Sequence, residues 1–197
     1  MKPTKQLAGL PVLFTLLVLG SQNIDAQDTR YEGTTITGTV YFMGGRTAGR
    51  SLPFKLIVNR LTTTQEVSQL NTVLQHGQDQ LLSTLSKADA GRIEIGNGVG
   101  IPANAIIATD EGDGRTKITV PYERNLRFAE LRYGARSQDY RFGYAELYVG
   151  RGGNEGMLIP AAKVRLRDGN TWEVEDFGTF PARLMGLQVH GGRGNAR

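Results

Sequence analysis

Between residues 142 and 190, apolar and polar residues alternate in short runs broken by glycine, the period-two pattern of half-buried strands. Within this stretch, 163–177 predicts a hairpin whose register follows from its side chains. Taking Asp168, Gly169 and Asn170 as a three-residue loop, Arg167 faces Thr171, Leu166 faces Trp172, Arg165 faces Glu173, Val164 faces Val174 and Lys163 faces Glu175. One face then carries the apolar pairs and the other carries two opposite-charge pairs, an arrangement that stabilises an antiparallel ribbon. A two-residue loop would slip the pairing by one and set Val164 against Glu173 or Glu175.

The same alternation predicts strands elsewhere. In 34–42, Ile36, Gly38, Val40 and Phe42 fall on one side and Thr35, Thr37, Thr39 and Tyr41 on the other. A second strand, 54–61, pairs with it across the loop 44–51. The period then changes. Val67, Leu70, Leu74, Leu81, Leu82 and Leu85 recur at three and four residues, which is one apolar helical stripe. Thr63 or Thr64 can cap its start, with Glu66 in the first turn. The pair His76-Gly77 falls in the middle, where a glycine costs about 1 kcal/mol in a helix, so two short helices are expected, near 64–75 and 78–87.

Strand pattern returns at 91–95, and the glycines at 96, 98 and 100 with Pro102 mark a loop. Residues 105–109 and 116–122 predict another hairpin. The stretch 123–141 is the least regular, with Phe128, Leu131 and Tyr133 spaced for a short helical turn. A strand over 143–149, a turn over 150–156, an edge or bulge at Pro160 and a last strand over 182–189 complete the reading. The expected fold is a single α+β domain: a mainly antiparallel, twisted sheet or partly open barrel of about eight strands, with the 64–87 helix pair packed on one face.

Residues 1–26 stand apart. Lys2 and Lys5 precede an apolar run from Leu7 to Leu19, followed by polar residues ending Ile24-Asp25-Ala26, the pattern of a signal peptide cleaved after Ala26. The run is too short and too broken by Gly9 and Pro11 for a membrane span. The expected mature chain is 27–197, one domain with flexible ends at 27–33 and 191–197, exported to the periplasm or the exterior. Removing two lysines and one aspartate takes the formal charge from +4 to +3. With no cysteine in the chain, thiolate metal sites, cysteine nucleophiles and disulfide staples are excluded.

The order of three blocks carries a resemblance. They are Thr62 to Gly96, Arg127 to Val149, and Gly156 to Val189, the last including Leu158 to Val164 and Phe177 to Leu184. Over roughly 53–189 the chain resembles a group of exported bacterial proteins with no assigned activity. The resemblance implies an export signal and a shape, and it transfers no chemistry.

The remaining chemistry is sparse. His76 and His190 are the two histidines, too few for a histidine metal site, and no Gly-x-Ser-x-Gly elbow surrounds any serine. The loop from Asp110 to Asp113 lacks the spacing of a calcium loop and reads as a turn. The glycine stretches at 96–100 and 150–156 lack a nucleotide-binding context, so no metal and no cofactor are expected. Among the acids, Glu146 stands unexplained between Tyr144 and Tyr148 on one strand face. Arg124, Arg127, Arg132, Tyr133, Arg136, Tyr140 and Arg141 interleave basic and aromatic residues, the best candidate binding surface, suited to an envelope protein, a glycan or another polyanion. No nucleic-acid motif is present. The leading expectation is a non-enzymatic binding or interaction module. Its alternatives are a metal-independent hydrolase using carboxylates such as Glu146 and Asp110, and a carrier of apolar ligands in an unfilled barrel.

Overall fold

The computed structural model describes residues 14–16, 29–44, 47–124, 139–152, 154–167, 171–177 and 181–191. In chain order the strands and helices are β1 (Phe14–Leu16), β2 (Thr34–Tyr41), β3 (Ser51–Val58), α1 (Thr64–Gln75), α2 (Gln78–Leu85), β4 (Gly91–Ile95), β5 (Ile101–Ala103), β6 (Ile107–Asp110), β7 (Arg115–Glu123), β8 (Phe142–Gly150), β9 (Glu155–Arg167), β10 (Thr171–Asp176) and β11 (Ala182–Gly191).

The thirteen-residue β9 organises the sheet. On one side it pairs with β8. On the other it is shared, with β11 along residues 155–158 and β10 along 162–167. The path runs β5-β4-β3-β2-β11-β9-β8-β7-β6, every pairing antiparallel, and β1 lies along the outer edge of β10. The α+β class, the antiparallel sheet and the packed helix pair are as the sequence predicts, with ten strands from β2 to β11 in place of about eight. The expected loop at 96–102 closes with a strand of its own, β5, and the second strand is β3 at Ser51–Val58, earlier than the 54–61 expected.

Two features give the sheet its curl. Its end strands, β5 and β6, are separated in the chain by only Asn104, Ala105 and Ile106, so its two edges come together. The Asn104 carboxamide ties this corner, donating to the carbonyls of Leu85 and Ala88 and accepting from the amide of Glu123. The inner face thereby becomes a core. Ile36, Val40, Leu56, Val58, Ile118, Val120, Leu147, Leu158 and Leu184 all have 0% of their surface exposed, so no water-sized void borders them. Bulges bend the long strands. One extra residue of β9 falls at Pro160 and Ala161, where the sequence predicts an edge or bulge, and another of β11 falls beside Gly186, whose φ is +62°.

The hairpin register is as deduced: Leu166 faces Trp172, Val164 faces Val174, and the charged residues pair on the opposite face. One detail differs. Arg165 reaches diagonally to Glu175, at 3.2 Å, instead of straight across to Glu173. Glu175 is held in place because it also accepts the Tyr140 hydroxyl at 2.5 Å.

The helices form where the periodicity places them. Thr63 caps α1 in a reciprocal box with Glu66, and Arg60 adds an ion pair to the same carboxylate at 2.9 Å, holding the Glu66 carboxyl below its usual pKa. The chain breaks at Gly77, whose φ of +113° suits glycine alone. Leu70, Leu74, Leu81, Leu82 and Leu85 then cover Phe142, Tyr144, Ile159, Val164 and Trp172 on the outer face of the sheet. Burial removes apolar area from water at roughly 25 cal/mol per Å², and polar contacts fix the docking, among them the Trp172 indole N–H, which donates to Asn71 Oδ1 at 2.5 Å.

Candidate functional site

A groove opens where β8 stops and β9 continues. The last β8–β9 pair is Phe142 with Ala162, yet β9 extends to Arg167. Beyond Ala162, β10 still covers one side of β9, and the turn between the helices stands on the other. The Val164 amide donates to the Gln78 side-chain carbonyl at 3.2 Å. Backbone groups of alternate strand residues point to the same side, so the Val164 carbonyl and both polar groups of Leu166 face the groove as well. Its volume is about 460 Å³, with Leu74, Gln75, Gly77 and Gln78 as one wall and Val164, Arg165 and Leu166 as the other. Apolar side chains, carboxamides and a strand edge together can hold an extended peptide by adding it to the sheet.

The candidate basic–aromatic surface meets this groove at one rim. Tyr140 donates to Glu175, which in turn pairs with Arg165 of the groove wall. The Tyr140 ring packs edge-on against Phe177, with centroids 5.0 Å apart, and is 7% exposed. Arg124 donates through Nε to the Tyr140 carbonyl, and its amide donates to the Arg141 carbonyl at 3.1 Å. Those three residues therefore anchor the entry to β8. Arg127, Arg132, Tyr133 and Arg136 lie outside the described residues, as does the helical turn expected around Phe128 and Leu131. The groove residues Gln75 and Gln78 were missed, although the helix break at His76-Gly77 marks the spot.

The acids are separated. Glu146 is buried, 4% exposed, and each carboxylate oxygen accepts a phenol: Tyr144 at 3.0 Å and Tyr148 at 2.7 Å. Burial, then the Glu146 charge and hydrogen bond, push the Tyr144 hydroxyl well above its usual pKa. Burial, the bond to Glu146 and its charge raise Tyr148 in the same way. Asp110 instead accepts the Gly112 amide at 2.9 Å and shapes the β6–β7 turn. Glu146 shares a rung with Thr119 and Ile107, whereas Asp110 shares one with Thr116 and Val149. Those rungs are three residues apart, so the two acids sit on opposite faces of the sheet.

The histidines are also spoken for. His76 bonds the Thr72 carbonyl through Nδ1 at 3.0 Å, and His190 meets the Thr37 hydroxyl at 2.9 Å. Among the described residues, no three metal-ligating side chains cluster, and no helix is long and apolar enough to cross a membrane. No family model, curated protein or solved structure matches the chain.

Proposed function

We propose that the protein is an exported, non-enzymatic binding module of the cell envelope or its exterior, and that it holds an extended polypeptide segment in the groove beside β9. The observation that carries this reading is the uncovered edge of β9 at Val164–Leu166, facing a helix wall that already supplies one substitute acceptor, Gln78. A polypeptide suits the groove better than a glycan or a polyanion, because the groups offered are backbone and carboxamide, and Arg165 on the rim is already paired with Glu175. The leader pattern of residues 1–26 supports export. The filled inner face supports a binding surface over a carrier's cavity, and the separation of Glu146 from Asp110 supports binding over two-carboxylate hydrolysis.

Selection from a displayed library of random peptides tests this. The wild-type protein is expected to enrich extended sequences with alternating apolar residues. Gln75→Trp, at an exposed helix position on the groove wall, is expected to weaken the selected peptides by about tenfold or more. Failure to enrich any peptide, or equal binding by the filled variant, would refute the reading.

A further inference from the structure

A second surface lies on the outer face of the sheet, where the helices do not reach. Cross-strand pairing sets Tyr41 of β2 beside Arg183 of β11, Arg183 beside Met157 of β9, and Met157 beside Glu146. The next rung sets Met185 beside Glu155. Tyr41 and Met185 are 37% and 42% exposed, and Arg183 and Glu155 are exposed too. Large apolar side chains on a strand face normally turn inward, and Tyr, Met and Arg are the residues enriched in protein interfaces.

The charges on this patch say what covers it. Arg183 and Glu155 stand diagonally on adjacent strands, and neither makes a salt bridge among the described residues. The patch therefore carries one positive and one negative group flanking two methionines, which makes it complementary to itself. A two-fold axis along the Met157–Met185 diagonal would lay each methionine on its own copy. The same rotation exchanges the other diagonal, bringing Arg183 of each chain over Glu155 of the other. We propose that this face is a two-fold interface between two copies of the chain, closed by two reciprocal Arg183–Glu155 pairs around a methionine centre. It is independent of the groove beside β9, which lies on the helix-covered end of the sheet.

Sedimentation equilibrium of the purified protein tests the proposal. Wild type is expected at twice the chain mass. Arg183→Glu and Glu155→Arg, each placing like charges opposite one another, are expected at the mass of one chain. An equal mixture of the two is expected to return to twice the chain mass, because every cross-pair is then of opposite sign. The two changes combined in one chain should dimerise for the same reason. A monomeric wild type, single variants that stay dimeric, or a mixture that stays monomeric would each overturn the proposal. Circular dichroism of the single variants separates lost association from lost folding, and the mixture could not recover if either had unfolded.

Discussion

The side-chain carbonyl of Gln78 accepts the amide of Val164 at 3.2 Å, on the side of β9 that β8 covers only as far as Ala162. A helix thus supplies one of the bonds that a neighbouring strand would have made. What it leaves facing the groove, the Val164 carbonyl and the backbone of Leu166, is the basis for reading that groove as a binding edge.

The hairpin on which this edge rests separates two substitutions sharply. Val164→Asp would bury a carboxylate among Trp172, Val174 and the helix leucines, and is expected to cost more than about 3 kcal/mol. Arg165→Gln loses one pair whose arginine side chain is 55% exposed, and is expected to cost only a few tenths of a kcal/mol. Urea unfolding midpoints compare the two, and similar values would contradict the register.

The helix docking has a built-in reporter, since Trp172 is the chain's one tryptophan and is 1% exposed. Its emission should be blue-shifted and resistant to iodide quenching. Asn71→Ala removes the acceptor of the indole N–H and is expected to destabilise by about 1–3 kcal/mol. Red-shifted, readily quenched emission from the folded wild-type protein would show that the helices do not cover it.

Gly143 is required by its cross-strand partner. A Cβ placed there would lie 2.1 Å from the Tyr122 ring. Gly143→Ala is expected to lower stability by about 1–3 kcal/mol through overpacking. In the background of Tyr122→Ala, which vacates the space, the same change should cost much less. A thermal-unfolding double-mutant cycle measures this coupling, and additive effects would contradict the contact.

Alkaline stability follows from three tyrosines. Tyr122 and Tyr144 by burial, and Tyr148 by burial and its bond to Glu146, are all raised above the ordinary value of 10.0. Below pH 10 the phenols are protonated in both folded and unfolded chains, and their contribution to stability is complete. Above pH 10 the unfolded chain releases protons that the folded chain retains, so stability falls as pH rises toward the folded values. Urea midpoints at pH 8, 10 and 11 should therefore decline over the last interval. Glu146→Gln should bring the Tyr148 titration, followed by ultraviolet absorbance, to lower pH.

The parts legible in the sequence were those decided by neighbours in the chain. Opposite charges and apolar pairs fix the β9–β10 register, Thr63 and Glu66 fix the start of α1, and Gly77 fixes the break between the helices. Pro160 marks a bulge because its nitrogen has no hydrogen to give to the ladder. The groove was not legible, because it depends on β8 stopping short of the end of β9, a relation between two non-local strand lengths. Nor was the companionship of Tyr41, Arg183 and Met157, which needs the strand order β2-β11-β9. Nor was the diagonal pairing of Arg165 with Glu175, whose carboxylate also accepts the hydroxyl of Tyr140, a residue outside the hairpin.

The most direct test of the groove is hydrogen exchange at the Leu166 amide, measured with and without a saturating peptide from the library selection. Its N–H points into the groove, so strand addition should slow its exchange in the complex while Arg165, bonded toward β10, changes little. An unchanged Leu166 rate, with protection appearing elsewhere on the molecule, would contradict the claim that the edge of β9 is the binding site.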